Sequence, residues 1–211
     1  MSLGGFICVE RKSLHLLDGA TVGSVVPRKY WVVHFELGRI TLNSWPARLL
    51  AVEIAEPGPD KPRPGLKLTR AASVKILEEL EPAQLFGAHG AAVVELIEAA
   101  RAMTLEQAKA LAEVEAPEAA RIYEAAFQAW RDATPPDAGA PIGSGFTVLH
   151  CELKERAGDQ ALIEKDGELV LAPPWDHAGR ALAWAAMALG APEWVPPGTH
   201  EALLRPWRTT R

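Results

Sequence analysis

Glu152 and Lys154 stand two positions apart in the run Phe146 to Glu155, and Asp137 lies upstream in Pro136-Asp137. Two carboxylates around a magnesium ion, with a lysine ammonium beside the water it activates, are the parts that cleave a phosphodiester. The run alternates apolar and polar residues. It is therefore expected to be a strand, with Leu149, Cys151 and Leu153 on the core face. His150, Glu152 and Lys154 then share the other face, as that chemistry requires.

Pro136-Asp137 with Glu152-Leu153-Lys154 resembles the PD-(D/E)xK pattern of metal-dependent nucleases, over these residues alone. The resemblance implies Asp137 and Glu152 as magnesium ligands and Lys154 as the group that helps activate water. The plainer reading of the same residues is the solvated face of a strand. His150-Cys151-Glu152 contains the H-x-E of zinc deaminases, but the chain has no P-C-x-x-C to complete that ligand set. Cys151 as a nucleophile would need exposure, and the alternation points it inward.

A third constellation is Trp175, Asp176, His177 and Arg180, following Pro173-Pro174. A helix opening here would aim backbone N–H groups at a small anionic ligand, with Trp175 as an aromatic wall. The same residues also read as structure, with Asp176 as the helix cap and Trp175 as a core plug. Gly87-Ala88-His89-Gly90 lacks the remaining residues of a phosphate loop and reads as a hinge between helices. Four of the seven tryptophans, Trp45, Trp175, Trp194 and Trp207, lie close to prolines. Such pairs anchor partners or staple loops to a core, and the staple is preferred. The tail from Arg205 to Arg211 reads as solvated.

The elements that must position these residues fall into three regions. Residues 1–66 read as strands, with short apolar runs at Phe6 to Val9, at Leu14 to Leu17 and at Ile40 to Leu42. Tyr30 to Leu37 alternates cleanly, and Arg48 to Ile54 reads as a further strand, with a helix starting over Ala47 to Glu53 as the alternative. Four prolines within residues 56–65 force a loop. Residues 67–133 read as helical from about residue 69. Their apolar stripes are Val74, Leu77 and Leu80 with Ile76 beside them, then Val93, Leu96, Ile97 and Ala100, then Ile122, Tyr123, Ala126, Phe127 and Trp130. Thr104 with Gln107 forms a capping box, and Pro117 suits a first helical turn. Residues 134–211 begin with a Pro- and Gly-rich connection. A three-stranded meander follows (146–155, 160–164 and 169–172), then a helix over about 177–189 closed by Gly190. A short helix around 200–205 is stopped by Pro206.

The fold class expected is α+β. The two β-rich ends form one mixed or antiparallel sheet, and short helices from about 69–132 pack on it. A single domain over 1–211 is expected, with the helical region as a separate subdomain in the alternative. Cys8 and Cys151 form no disulfide framework or zinc knuckle, and read as buried thiols of a reducing compartment. The N-terminus lacks the pattern of a signal peptide, no apolar run approaches a membrane span, and a cytoplasmic protein is expected.

Net charge is −5, with no strongly basic segment, which argues against general nucleic-acid binding. A single asparagine, Asn43, and four glutamines point to thermal robustness. The function expected is non-catalytic binding, to a protein partner or by self-association. No cofactor is expected, and magnesium enters only with the nuclease pattern. The alternatives are a nuclease or phosphodiesterase using Asp137, Glu152 and Lys154, and a small-ligand site around Trp175 to Arg180.

Overall fold

A computed structural model describes residues 3–59, 67–134, 141–165 and 167–209. The chain is α+β and forms two compact units, Met1–Leu85 and Phe86–Arg211. Among the described residues no helix is long and apolar enough to cross a membrane.

The first unit is an antiparallel four-stranded barrel built from β1 (Gly4–Glu10), β2 (Val25–His34), β3 (Ala47–Pro57) and β4 (Leu68–Leu80). The closed order is β1-β2-β4-β3. Period-two alternation decides what faces the interior. Ile7 and Val9 of β1 and Trp31 and Val33 of β2 point inward, while Tyr30 and Val32 point out. Leu50, Val52, Val74 and Ile76 complete this core, and each fully buried aliphatic contributes about 1.5–3 kcal/mol. Seven consecutive register pairs join β1 to β3, from Gly4↔Glu53 to Glu10↔Ala47. The β1–β2 seam, in contrast, is registered at Phe6↔His34. Gly5 makes that crossing possible, since a Cβ there would lie 2.6 Å from the His34 carbonyl oxygen. Across β3 and β4 the Arg48 guanidinium donates to both Glu79 oxygens, at 2.7 and 2.8 Å.

Three expectations for this region are corrected. Residues 68–80 are strand β4, not the start of a helix. The three-residue spacing of Val74, Leu77 and Leu80 imitates a helical stripe, but Leu77 is exposed. The buried set Thr69, Ala71, Ser73 and Ile76 follows the strand pattern through most of β4. Leu14 to Leu17 lies in a 3-10 helix, Arg11–Leu17, whose Leu17 enters the core cluster of the barrel. Ile40 to Leu42 is no strand, although Ile40 and Leu42 are buried and anchor the loop.

The second unit contains α1 (Gly90–Ala102), α2 (Leu105–Ala112), α3 (Pro117–Ala133), α4 (Pro141–Ala157), α5 (Trp175–Gly190) and α6 (His200–Arg208). A two-stranded hairpin, β5 (Leu162–Lys165) with β6 (Glu168–Leu171), follows α4. Helix α5 is central and packs on α1, α2, α3, α4 and α6. Its buried face is largely alanine, with Ala178, Ala181, Ala185 and Ala186, so neighbouring helices approach closely. Gly190 marks the tightest approach: a Cβ there would stand 2.6 Å from both Val93 and Ile142. The Thr104–Gln107 capping box forms as expected, at 2.9 and 3.1 Å, and Pro117 opens α3.

The β-rich ends do not share a sheet. Barrel closure uses both edges of β1 to β4, and among the described residues the C-terminal strands pair only with each other. The closed barrel also buries its own apolar face, so it needs no C-terminal strands to cover it. The expected meander is likewise corrected: 146–155 belongs to α4. Its buried residues, Ile142, Gly145, Val148, Leu149, Glu152 and Leu153, recur at three- and four-residue spacing. Helix α6 continues through Pro206 rather than stopping before it.

Candidate functional site

Three helices of the second unit line a partly open cavity of about 280 Å³. Tyr123 and Phe127 reach it from α3, Phe146 and His150 from α4, and Gly179 and Ala183 from α5. Helical periodicity explains the set. Tyr123, Phe127 and Trp130 are spaced four and three apart, so they form one stripe on α3. Phe146 meets that stripe from α4: its ring centroid lies 6.2 Å from Tyr123, 6.0 Å from Phe127 and 6.1 Å from Trp130. The Tyr123 and Phe146 rings meet edge-on, as do those of Trp130 and Phe146, while Tyr123 stacks on Phe127 at 5.6 Å. On the α5 wall Gly179 and Ala183 carry almost no side chain, which leaves the space open.

Two polar groups face this apolar enclosure. Burial, reinforced by Glu124, pushes the Tyr123 phenol up to about 12, so it stays protonated and can donate a hydrogen bond. His150 lies at the rim with part of its ring open to solvent. Burial of the rest of the ring lowers its pKa, Lys154 lowers it further, and Asp176 opposes both. The imidazole is therefore neutral at pH 7 and presents one donor and one acceptor.

The nuclease residues do not assemble as the sequence suggested. Asp137 lies outside the described residues. Glu152 and Lys154 sit on a helix, where a two-residue step turns about 200° and separates them onto different faces. Glu152 is only 2 % exposed, and its Oε2 lies 3.3 Å from the Arg101 Nε of α1. The Lys154 ammonium donates instead to the Leu169 carbonyl at 2.8 Å. The solvated face assigned to His150, Glu152 and Lys154 is thus corrected for Glu152, and Cys151 is half-buried. Among the described residues no three His, Cys, Asp or Glu side chains are grouped as metal ligands.

The residues after Pro173-Pro174 are brought together in part. Trp175 is 7 % exposed and packs into the core. Asp176 does not cap α5. It lies inside the first turn and pairs with Arg180 one turn on, at 3.1 Å. His177 Nδ1 is buried with no hydrogen-bond partner among the described residues. Gly179, on the same turn, opens into the cavity, and Asp176 acts electrostatically on His150 at its rim. Gly87 adopts φ 92°, in the region that favours glycine, and a second hollow of about 460 Å³ adjoins it, next to His89, Trp130 and Trp194.

The aromatic cavity itself was missed at the level of sequence. Tyr123 and Phe127 were visible as an apolar stripe. Phe146, the ring that faces them, was assigned to a strand. Compared with protein-family models, with curated proteins and with solved structures, the chain matches none of them.

Proposed function

We propose that this is a non-catalytic binding protein whose helical unit takes a small, uncharged, largely apolar ligand between α3, α4 and α5. The aromatic cavity carries the reading. Its walls are Tyr123, Phe127 and Phe146, and its polar groups, the Tyr123 phenol and the His150 imidazole, are both neutral at pH 7. A cavity of about 280 Å³ accommodates a ligand of one or two rings. A charged ligand would lose its hydration there without meeting a counter-charge on the cavity walls. Asp176 and Arg180 satisfy each other beside the rim, and Trp175 holds the start of α5 in the core. In this reading the partner is a small molecule rather than a second protein.

Calorimetric titration of the full chain with indole, toluene and benzoate tests it. Indole and toluene are expected to bind, and benzoate at least about tenfold more weakly. Ala183→Trp fills the cavity with its own indole, and should abolish binding while the far-ultraviolet circular dichroism stays helical. Equal affinity for indole and benzoate, or indole affinity unchanged in Ala183→Trp, would overturn the proposal.

A further inference from the structure

The barrel unit carries a cleft of opposite chemistry. It measures about 310 Å³ and lies where β1 runs on past its one registered contact with β2. Cys8 and Glu10 line it from β1, Lys12 from the 3-10 helix that follows, Arg28 from β2, and Asn43 and Ser44 from the loop before β3. The β2–β4 register is broken between Pro27 and Trp31, so Arg28 sits in an irregular stretch of β2.

Glu10 and Arg28 are held in place with hydrogen-bonding capacity unused. Glu10 Oε2 accepts from the Asn43 backbone N–H at 3.1 Å and from the buried Ser44 hydroxyl at 2.9 Å. Both bonds fall on one oxygen, so the carboxylate is oriented and Oε1 has no partner among the described residues. The Arg28 guanidinium lies 5.0 Å over the Trp31 ring. That contact localises the guanidinium and uses none of its N–H donors. Among the described residues Lys12 has no hydrogen bond or ion pair, and neither cation is paired with Glu10. One cleft thus holds an oriented anion and two cations that do not neutralise one another. Ion pairs elsewhere in the same unit do close: Arg48 with Glu79, and Lys67 with Glu36.

From this juxtaposition we infer that the cleft binds a small zwitterion, a carboxylate joined to a primary ammonium as in a free α-amino acid. The ammonium sits on Glu10 Oε1, and the carboxylate lies between Arg28 and Lys12. The Cys8 thiol, pushed up to about 12 mainly by burial, stays protonated and forms an uncharged wall. This site is independent of the cavity between α3, α4 and α5.

The test is titration of the full chain with glycine and L-leucine, then with the two halves of leucine: isoamylamine, which lacks the carboxylate, and 4-methylpentanoate, which lacks the ammonium. Inorganic phosphate serves as the anion control. At least one of the amino acids should bind, and leucine should bind about tenfold or more tighter than either half. Arg28→Gln should weaken leucine and 4-methylpentanoate by about tenfold and spare isoamylamine. Glu10→Gln keeps an oxygen for Asn43 and Ser44, and should weaken leucine and isoamylamine while sparing 4-methylpentanoate. The exposed Lys12→Gln provides a third variant with no fold-bearing contact. The inference is overturned if neither amino acid binds at about 10 mM, which excludes any useful affinity. It is equally overturned if phosphate matches leucine and Glu10→Gln changes nothing, the behaviour of a plain anion site.

Discussion

Arg101→Met should be among the most damaging conservative changes in the helical unit, although Arg101 is itself partly exposed. Glu152 is 2 % exposed on α4, and the Arg101 Nε of α1 stands 3.3 Å from its Oε2. At an effective dielectric near 20, Coulomb attraction over that distance is about 5 kcal/mol. Part of it is lost to solvent screening on the arginine side, and Arg101 also donates to Glu98 at 2.8 and 3.0 Å. Removing the cation from a buried carboxylate is thus expected to cost about 3 kcal/mol, the lower end for a broken buried pair. For a protein of this size that lowers Tm by about 6–12 °C. Glu152→Gln leaves Arg101 its partner Glu98 and should cost only about 1 kcal/mol. In the double variant, Arg101→Met acts on a neutral amide, so the double variant should cost about 2 kcal/mol less than the sum of the single costs. Urea denaturation followed by tryptophan fluorescence measures all three. If Arg101→Met costs under about 0.5 kcal/mol, or costs the same with Gln at position 152, the pair is only a surface contact and the reasoning fails.

Gly190→Ala should destabilise by about 1–3 kcal/mol in urea denaturation, because its Cβ would lie 2.6 Å from both Val93 and Ile142. Gly179→Ala in the same helix meets only Leu153 at 3.4 Å and should be neutral, or stabilising by up to about 1 kcal/mol through helix propensity. Acid sensitivity of the barrel should depend in part on Glu79, whose pKa is lowered by its hydrogen bonds to Arg48 and opposed by partial burial. A carboxyl depressed in the folded state contributes fully above its ordinary value and loses that contribution as pH falls through the folded value. Glu79→Gln should therefore cost up to about 1 kcal/mol at neutral pH, limited by solvent screening of this half-exposed pair. Wild type and variant should converge in acid, and a gap that persists there would contradict the assignment.

The legible parts of the fold were those in which one period decides burial and no distant partner intervenes. Trp31 and Val33 against Tyr30 and Val32, the Thr104–Gln107 capping box and Pro117 at the start of α3 all have local causes, and all formed. The failures arose where two periods fit the same residues. Val74, Leu77 and Leu80 fit a helix by spacing, yet Leu77 points outward, and the β-branched Thr69, Val74 and Ile76 favour the strand. Leu149, Cys151 and Leu153 fit a strand by alternation. The preceding Gly143-Ser144-Gly145 read as linker because glycine weakens helices. In α4 that glycine has a tertiary purpose: a Cβ on Gly145 would stand 2.9 Å from Val93, so the helix forms for the packing it permits. Barrel closure was hidden for another reason, since the β1–β2 and β1–β3 pairings join segments distant in sequence.

The phase error in α4 also displaced the candidate site, and the displacement shows which carboxylates deserve functional weight. Read as a strand, Glu152 is solvated and free to bind a metal. Read as a helix, it is buried and held against Arg101, and its charge serves packing between α1 and α4. Glu10 has the reverse history. In sequence it is one residue of a short charged run, Glu10-Arg11-Lys12, yet it is a carboxylate with one oxygen anchored and the other open to a cleft. Burial alone does not separate the two roles. What separates them is whether the protein's own groups already use the charge: a buried ion pair is an internal bond, whereas an oriented carboxylate that, among the described residues, forms no ion pair with the nearby Lys12 or Arg28 still has interactions to offer. By that criterion the Glu10 cleft and the neutral aromatic cavity are the places proposed for binding, whereas the charge of Glu152 is already engaged by Arg101.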